Sequence, residues 1–310
     1  MPMQKFEGLI AAPFTPMNEN GELVYERIPA YYNFLNHNKV VGAFINGSTG
    51  EGVSLTQKER MKSAEQWVAA ARENPGMKII NLAGGTSYME CIENAKHSAE
   101  VGVDAIALLA PYYFKPSGAG QLAEFVARVA ETVPQMPVYF YHIPVLTGCY
   151  VSMYDFLKQA APAIPNLAGI KYTHEDFMDF QSCISFRNGK FEMLWGRDEN
   201  LLSALVLGTR SGVGSTFNYA APLYYRLIDA FDKGDLVLAR KLQQKAIDMI
   251  RLLGKYGGIA TGKAFMRYVG LDCGEFRSPV KNMSHSDYQK FTEDVKALEM
   301  EEEFSKIVEY

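Results

Sequence analysis

Lys171 is the first residue of this sequence that could do chemistry, because it lies in an otherwise apolar run. The run is Leu167-Ala168-Gly169-Ile170-Lys171-Tyr172-Thr173, which is typical of a buried strand. Side chains alternate between the two faces of a strand, so Lys171 and Thr173 share one face. If that face is buried, desolvation lowers the pKa of the lysine and frees an amine for Schiff-base chemistry. The alternative is a lysine that ends the strand in solvent.

Tyr141 is the second candidate, because it ends another apolar run, Pro137 to Tyr141. Tyr139 and Tyr141 share a face by the same alternation, and neighbouring strands lie about 4.8 Å apart. An inward tyrosine at the end of this run can therefore reach the lysine on the next strand. We predict that Tyr141 carries a proton beside Lys171 and that Tyr139 fills the interior.

A polar turn with two hydroxyl groups follows an earlier apolar run. It reads Asn46-Gly47-Ser48-Thr49-Gly50-Glu51. Its glycines let consecutive backbone N–H groups converge, and Ser48 and Thr49 add donors, so the turn could bind a carboxylate or a phosphate. These residue types also occur in ordinary turns, and both interpretations stay open at this point.

Two carboxylates, Asp198 and Glu199, follow the run that ends at Trp195 and precede the apolar helix Leu201 to Leu207. Carboxylates at such a position can accept hydrogen bonds from a ligand with several hydroxyl groups. The alternative is that Asp198 is the N-cap of the helix.

Three other patterns are rejected as sites. Gly257 to Lys263 has the spacing of a phosphate-binding loop, but Ala264 stands where the motif needs Ser or Thr, and no strand precedes it. The five histidines are not spaced to bind a metal ion from one helix face, so we expect no metal. We interpret the run Glu301 to Glu303 as a solvated helix face.

The candidate residues lie at the ends of apolar runs, and eight such runs are predicted to be strands. They are Gly8 to Pro13, Val40 to Asn46, Met77 to Ala83, Asp104 to Ala110, Pro137 to Tyr141, Leu167 to Lys171, Phe191 to Trp195 and Ser211 to Ser215. The segments between them have helical periodicity. In Thr56 to Arg72, for example, Thr56 and Glu59 have the spacing of a capping box, and Asn-Pro-Gly at 74–76 ends the helix.

Eight alternating strands and helices predict an α/β fold, a closed (β/α)₈ TIM barrel of roughly 200 to 250 residues. A doubly wound open sheet is the alternative. After Phe217 only helical periodicity is found, over Leu223 to Lys255, Lys263 to Val269 and Ser286 to Val308. We therefore assign residues 1–225 to a catalytic barrel and residues 226–310 to a C-terminal helical extension.

Composition and charge narrow the possible partners. The 310 residues carry 31 Lys and Arg against 35 Asp and Glu, a net charge of -4, which leaves no broad basic surface for nucleic acid. The longest apolar runs are far shorter than the roughly 20 residues of a membrane helix, so we expect no membrane partner. The four cysteines form no C-x-x-C pair, and the first residues lack an apolar signal core. We expect reduced thiols and a cytoplasmic location.

Taken together, the motifs resemble those of the N-acetylneuraminate lyase branch of the pyruvate-dependent class I aldolases, in order and spacing over the whole chain. They are Gly47-Ser48-Thr49-Gly50-Glu51, Tyr141-His142-Ile143-Pro144, Gly169-Ile170-Lys171-Tyr172-Thr173, Gly196-Arg197-Asp198-Glu199 and Gly214-Ser215-Thr216-Phe217-Asn218. The wider superfamily, which includes dihydrodipicolinate synthase, shares the first three. Dihydrodipicolinate synthases typically carry an arginine five positions after the tyrosine, to hold a second carboxylate, where this sequence has Leu146. Arg197 and Phe217 are small departures from the pattern of the branch.

The resemblance implies a (β/α)₈ barrel with a helical extension, usually a homotetramer, that needs no metal or other cofactor. It implies that Lys171 forms an imine, that Tyr141 relays a proton, and that the loop of Ser48 and Thr49 holds the carboxylate of the pyruvyl group. Tyr113 best matches a tyrosine that can cross a subunit interface to support the relay. The residues that match the other substrate contacts of the branch are Thr173, Gly196, Asp198, Glu199 and Ser215.

The implied reaction is the reversible cleavage of N-acetylneuraminate, a sialic acid, to N-acetylmannosamine and pyruvate. Lys171 attacks the C2 ketone, and the protonated imine takes up the electrons of the C3–C4 bond. Another pyruvate-dependent aldolase or dehydratase of the superfamily is the alternative, either an enzyme for keto-deoxy sugar acids or a dihydrodipicolinate synthase-like enzyme. A barrel kept as a non-catalytic carbohydrate-binding or interaction protein is a second alternative, disfavoured because Lys171 and Tyr141 are both present.

Overall fold

The computed structural model describes residues 5–307, and its eight strands form one closed parallel barrel in sequence order. The strands are β1 (Gly8–Ala11), β2 (Gly42–Ile45), β3 (Lys78–Leu82), β4 (Ala105–Leu109), β5 (Val138–His142), β6 (Leu167–Tyr172), β7 (Glu192–Trp195) and β8 (Ser211–Gly214). All eight predicted strands are confirmed. The open sheet is wrong, because β8 pairs with β1, with Ser211 opposite Gly8.

Helices surround the barrel and continue beyond it. They are α1 (Ile28–His37), α2 (Gln57–Glu73), α3 (Tyr88–Val101), α4 (Ala119–Ala130), α5 (Pro144–Thr147), α6 (Met153–Ala163), α7 (Phe177–Ser185), α8 (Leu201–Leu207), α9 (Phe217–Asp232), α10 (Leu236–Lys255), α11 (Thr261–Tyr268) and α12 (His285–Ala297). Short 3₁₀ turns lie at Tyr25–Arg27, Gly52–Ser54, Asp198–Asn200, Gly258–Ala260 and Glu301–Glu303. No helix within residues 5–307 is both long and apolar enough to cross a membrane.

The capping box predicted for α2 is present. The hydroxyl group of Thr56 accepts the backbone N–H of Glu59, and the carboxylate of Glu59 accepts the backbone N–H of Thr56 at 2.8 Å. These two hydrogen bonds satisfy donors that the first turn of a helix otherwise leaves unpaired, which explains why α2 begins at this point.

The buried side chains form an inner and an outer core, because alternate residues of each strand point inward and outward. The inner core fills the barrel and contains Ile10, Ala12, Phe44, Ile80, Leu82, Ala105, Ala107, Leu109, Tyr139, Tyr141, Ile143, Leu194 and Val213. Tyr139 fills the interior as predicted, and its hydroxyl group donates to the buried carboxylate of Glu192 at 2.5 Å. The outer core lies between the strands and the helices.

The predicted helix over residues 223–255 is wrong as one element, because two helices occupy this segment. Gly234 has a φ of 76°, which ends α9, and the carboxylate of Asp235 accepts the N–H of Leu238 to begin α10. Helix α9 also begins earlier than predicted, at Phe217, and kinks at Ala220. The assigned boundary at residue 225 therefore lies within α9, which contacts both the barrel strand β1 and the extension helix α10.

The last predicted helix is too long. Helix α12 ends at Ala297, Glu299 turns the chain with a φ of 53°, and Phe304 packs in the outer core. Met300 and Phe304 have helical spacing, but both are buried by tertiary contacts instead. The predicted end at Val308 lies outside the described residues.

The interpretation of residues 301–303 as a solvated face is also wrong in part, because Glu303 is buried. One of its carboxylate oxygens forms ion pairs with Arg226 at 2.7 Å and with Lys245 at 2.9 Å. A buried carboxylate needs such partners, so this residue anchors the end of the chain to α9 and α10.

Candidate active site

Lys171 lies inside the barrel near the carboxyl end of β6, directly opposite Tyr141 of β5. The residue is 3% exposed, and its ammonium nitrogen lies 3.8 Å from the ring centroid of Phe44 and 4.1 Å from that of Tyr141. Within residues 5–307 the nitrogen has no hydrogen-bond or ion-pair partner. Burial lowers the pKa of Lys171 to about 7, against a smaller opposing effect of Asp198. A large fraction of this amine is therefore neutral, and nucleophilic, near neutral pH.

Tyr141 is buried beside the lysine. Its ring contacts Phe44 edge-on at 5.3 Å, and its hydroxyl oxygen lies 3.4 Å from the hydroxyl oxygen of Ser48. Burial raises the pKa of Tyr141, and the hydrogen bond to Ser48 partly offsets this effect. The phenol therefore keeps its proton at neutral pH. The neighbouring hydroxyl group of Ser48 is positioned to exchange a proton with it.

The turn after β2 combines two residues of left-handed backbone conformation with two backbone donors that the described residues leave unpaired. Asn46 and Glu51 have φ angles of 56° and 57°, and Gly52 is required because a Cβ atom there would lie 1.8 Å from the carbonyl oxygen of Asn46. Within the part of the chain that the structure describes, the backbone N–H groups of Ser48 and Thr49 have no protein acceptor. Consecutive unpaired donors in a turn whose Ser48 hydroxyl group lies beside Tyr141 suit a carboxylate.

Asp198 is buried between the ends of β7 and β8. Its Oδ2 atom accepts the backbone N–H of Thr216 at 2.8 Å and the hydroxyl group of Thr216 at 2.6 Å. Gly214 makes room for the carboxylate, because a Cβ atom there would lie 2.2 Å from Oδ1. Burial raises the pKa of Asp198 to about 7, although the hydrogen bonds from Thr216 act in the opposite direction.

The alternative that Asp198 is a helix N-cap is wrong. The N-cap residue of α8 is Asn200, and Asp198 begins the 3₁₀ turn before it. The carboxylate of Asp198 bonds to the chain after β8 and not to the helix that follows it.

Thr173 and Gly196 lie together at the ends of β6 and β7. The hydroxyl oxygen of Thr173 is buried and makes no hydrogen bond of normal geometry among the described residues, but it lies near enough to Tyr141 to lower the pKa of that phenol. Gly196 lets it lie there, because a Cβ atom at this position would be 1.9 Å from that oxygen. An unpaired buried hydroxyl group beside Lys171 is a candidate ligand contact.

Glu199 and Ser215 lie half-buried in the neighbouring loops after β7 and β8. Arg197 contacts Glu199 at 3.1 Å and Glu175 at 2.8 Å, so it orients the carboxylate of Glu199. The predicted substrate-binding residues thus lie at the carboxyl ends of strands β2, β6, β7 and β8, and Tyr141 lies among them on β5.

Tyr113 is the predicted site residue that does not contact the other site residues within the single chain. It lies in the loop between β4 and α4 and is 79% exposed, and its ring contacts the ring of Phe114 edge-on. Within residues 5–307 of this chain, its hydroxyl group has no hydrogen bond to Tyr141 or Ser48.

Sequence reasoning missed two residues that shape the site, Phe44 and Thr216. Phe44 faces Lys171 and its position could have been deduced from the alternation along β2. Thr216 holds Asp198 through contacts between two loops, and no local pattern indicates such contacts. No group of three His, Cys, Asp or Glu side chains in the described residues is arranged to bind a metal ion.

A closed parallel barrel with its reactive side chains at the carboxyl ends of the strands defines a (β/α)₈ protein of the TIM-barrel class. The chain belongs to the Dihydrodipicolinate synthetase family, whose sequence model matches residues 5–298.

Two relatives and one more distant structure illustrate the similarity. The chain is 38% identical over 302 residues to human N-acetylneuraminate lyase, covering 96% of this chain and 92% of that protein. The solved structure of Proteus mirabilis N-acetylneuraminate lyase superposes with a TM-score of 0.92 at 36% identity, covering 95% of this chain and 99% of the other. Dihydrodipicolinate synthase from Aquifex aeolicus superposes with a TM-score of 0.86 at 28% identity, covering 95% and 98%.

Proposed function

We propose that this chain cleaves N-acetylneuraminate reversibly to N-acetylmannosamine and pyruvate, through an imine on Lys171. The observation that carries the proposal is the buried amine of Lys171 beside the ring of Tyr141, whose phenol meets Ser48. The similarity to the human and Proteus mirabilis lyases supports the choice of substrate.

The first step is imine formation on Lys171. The neutral amine attacks the C2 ketone of the open-chain sugar acid, and loss of water gives a protonated imine. The N–H groups and hydroxyl groups of Ser48 and Thr49 bind the substrate carboxylate, which fixes the ketone against the amine. The low pKa of Lys171 supports this step, since the ammonium form is not a nucleophile.

The second step is cleavage of the C3–C4 bond. The C4 hydroxyl group loses its proton to the relay of Tyr141 and Ser48, the bond electrons move to the protonated imine, and N-acetylmannosamine leaves as the aldehyde. The remaining enamine takes up at C3 the proton that the relay received, which restores the relay, and hydrolysis of the imine releases pyruvate and the amine of Lys171. Because the pKa of Tyr141 is raised, its phenol is protonated at neutral pH. It can therefore accept the substrate proton only while it donates its own proton to Ser48.

The sugar tail extends toward the loops after β7 and β8. Asp198, Glu199 and Ser215, with Thr173 and Gly196, offer oxygen atoms to its hydroxyl groups and are our proposed substrate contacts. Each neutral hydrogen bond contributes only about 0.5–1.5 kcal/mol net. Discrimination between N-acetylneuraminate and other substrates therefore depends on several of these contacts together.

We further propose that the protein is a homotetramer in which Tyr113 of one subunit completes the relay of another. The support is that the segments after the neighbouring strands β4 and β5 expose five apolar or aromatic side chains, those of Tyr113, Phe114, Val145, Leu146 and Tyr150. Large exposed apolar side chains on neighbouring segments are typical of protein contact surfaces. The imine supplies the electron sink, so we propose that no metal or other cofactor takes part. Four buried cysteines without disulfides support a cytoplasmic location.

A substrate panel tests the proposal. Pyruvate release is measured with N-acetylneuraminate and with keto-deoxy sugar acids, and condensation of pyruvate with aspartate semialdehyde is measured in parallel. We expect activity with N-acetylneuraminate that is lost in Lys171→Met. Turnover of another substrate in preference would contradict the choice of substrate, and Leu146 in place of an arginine already disfavours the dihydrodipicolinate reaction.

A further inference from the structure

The C-terminal extension packs closely on the loops at the catalytic end of the barrel. Gly274 approaches the loop after β1 so closely that a Cβ atom would lie 1.8 Å from the carbonyl oxygen of Met17. The backbone N–H of Met17 donates to the carbonyl oxygen of Cys273 at 3.1 Å. Gly262 meets Phe14 of the same loop in a similar way. The extension therefore touches segments that border the substrate site.

A buried ion pair joins the extension to the anion-binding turn. The ammonium nitrogen of Lys263, at the start of α11, lies 2.9 Å from Oε1 of Glu51, and the two side chains are 3% and 4% exposed. Lys263 also donates to the carbonyl oxygen of Glu275 at 2.6 Å and lies 4.7 Å from the ring centroid of Phe276. Of these three contacts, two come from the extension and the third is the carboxylate of Glu51.

A second contact holds the other oxygen of the same carboxylate. Oε2 of Glu51 accepts the backbone N–H of Arg277 at 3.0 Å. The guanidinium group of Arg277 in turn pairs with Glu59 at 2.5 Å and donates to the carbonyl oxygen of Gly21 at 2.7 Å. Both carboxylate oxygens of Glu51 are thus bound by residues of the extension.

The position of Glu51 determines the shape of the turn. Its φ of 57° lies in the left-handed region, which a glutamate rarely adopts unless its surroundings impose it. Its backbone N–H closes the turn by donating to the carbonyl oxygen of Ser48 at 3.1 Å. A further bond from the hydroxyl group of Thr15 holds the carbonyl oxygen of Gly50 at 2.6 Å. Displacement of Glu51 would therefore reorient the donors of Ser48 and Thr49.

We propose that Lys263 is a positioning residue for substrate binding: through its buried ion pair with Glu51 it holds the turn in the shape that presents Ser48 and Thr49 to the substrate carboxylate. The inference rests on the proposed function, because it assigns the turn to the carboxylate of pyruvate. A buried ion pair often adds little stability compared with apolar side chains. Its directional contact can, however, fix the conformation of a loop, which apolar side chains would not do. The pair also occupies the amine of Lys263, which distinguishes it from the unpaired amine of Lys171.

The test measures pyruvate binding in Lys263→Met. Pyruvate is trapped on Lys171 with cyanoborohydride, and the pyruvate concentration that gives half-maximal trapping is compared with that of the unaltered protein. We expect it to rise roughly 10- to 100-fold, with a matching rise in KM for N-acetylneuraminate and a much smaller change in kcat per trappable site. Lys255→Met is the matched control. It removes an exposed ion pair with Asp294 from the same extension and should change neither value.

The double variant Glu51→Gln/Lys263→Met guards against misfolding, because Lys263→Met alone leaves a buried carboxylate without its partner. We expect the double variant to fold, to trap pyruvate at Lys171 and to need the same raised pyruvate concentration. A folded double variant with unchanged half-saturation would overturn the inference, as would a loss confined to the number of active sites or to the melting temperature. Failure of the unaltered protein to trap pyruvate would instead contradict the proposed function, and the inference with it.

Discussion

At the scale of single residues, the reactivity of Lys171 follows from its surroundings. Two aromatic rings and the barrel wall replace water around its ammonium group, and an unperturbed lysine has a pKa of about 10.4. The charged form loses its hydration without gaining an ion pair, so burial lowers the pKa to about 7. The same group in solvent would be almost fully protonated at neutral pH.

The rate of imine formation should therefore depend on pH around neutrality. We expect the initial rate of pyruvate trapping by cyanoborohydride on Lys171 to increase as pH rises through about 7, because the neutral fraction of the amine increases. Peptide mass spectrometry at each pH gives the rate. A midpoint near the pKa of an exposed lysine would contradict the desolvation argument.

Tyr141 should matter for bond cleavage more than for imine formation. Tyr141→Phe keeps the ring beside Lys171 and removes the hydroxyl group that meets Ser48. We expect kcat for N-acetylneuraminate cleavage to fall by about 10²- to 10⁴-fold, while pyruvate trapping persists. Tyr154→Phe, outside the site and partly exposed, is the control. An unchanged kcat in Tyr141→Phe would remove this residue from the relay.

The sequence predicted these two residues because strand alternation is a local property. Lys171 and Tyr141 end neighbouring apolar runs, so their adjacency follows from the strand order once a barrel is assumed. The surroundings of Asp198 could not be deduced in this way, because its partner Thr216 reaches it from the next loop. Its sequence position before a helix equally suited an N-cap, and only the folded chain distinguishes the two.

At the scale of elements, glycines at the strand ends give the side chains their space. Gly196 directly follows β7, next to Thr173, which directly follows β6, and Gly214 ends β8 where Asp198 lies. A side chain at either position would occupy the place of a candidate substrate contact. These glycines are needed for close approach and not for an unusual backbone conformation.

Gly196→Ala tests this arrangement. The added Cβ atom would lie 1.9 Å from the hydroxyl oxygen of Thr173 and must displace it. We expect kcat/KM for N-acetylneuraminate to fall by at least about tenfold, whereas trapping of pyruvate, which is shorter, changes little. Gly254→Ala in α10 is the control, since its Cβ atom meets nothing within 4 Å. Equal activity of the two variants would exclude Thr173 and Gly196 from the substrate site.

Secondary structure was predictable where the sequence signal is local. The prediction failed where tertiary packing determines the conformation of the chain. The capping box of α2 was predicted because both of its partners lie within one turn. The end of α12 was not, because Met300 and Phe304 keep helical spacing although the chain has already turned at Glu299. Their burial depends on contacts with distant helices, and periodicity cannot distinguish this from a continuing helix.

At the scale of the whole molecule, the barrel was predictable from eight alternating units, but the contact between its two parts was not. Lys263 lies in a segment that resembles a phosphate-binding loop, and Glu51 lies far away in the chain. No periodicity relates the two residues, and their pairing depends on how the extension folds back over the barrel.

Assembly is the other property at this scale, and it concerns the loop after β4. We expect Phe114→Glu to dissociate the proposed tetramer, because it places a charge in an apolar surface. Sedimentation velocity measures the oligomeric state, and kcat should fall together with it if Tyr113 acts in another subunit. Met89→Glu, at an exposed apolar position at the start of α3, is the control. A monomeric and fully active unaltered protein would contradict this role of Tyr113.

The most direct test of the central claim is to locate the covalent intermediate formed from the substrate itself. The protein is incubated with N-acetylneuraminate, reduced with borohydride and mapped by peptide mass spectrometry. Cleavage through an imine predicts a reduced pyruvate adduct on the peptide that contains Lys171, and none in Lys171→Met. An adduct on Lys39 or Lys263, or cleavage of the substrate without any adduct, would contradict the account.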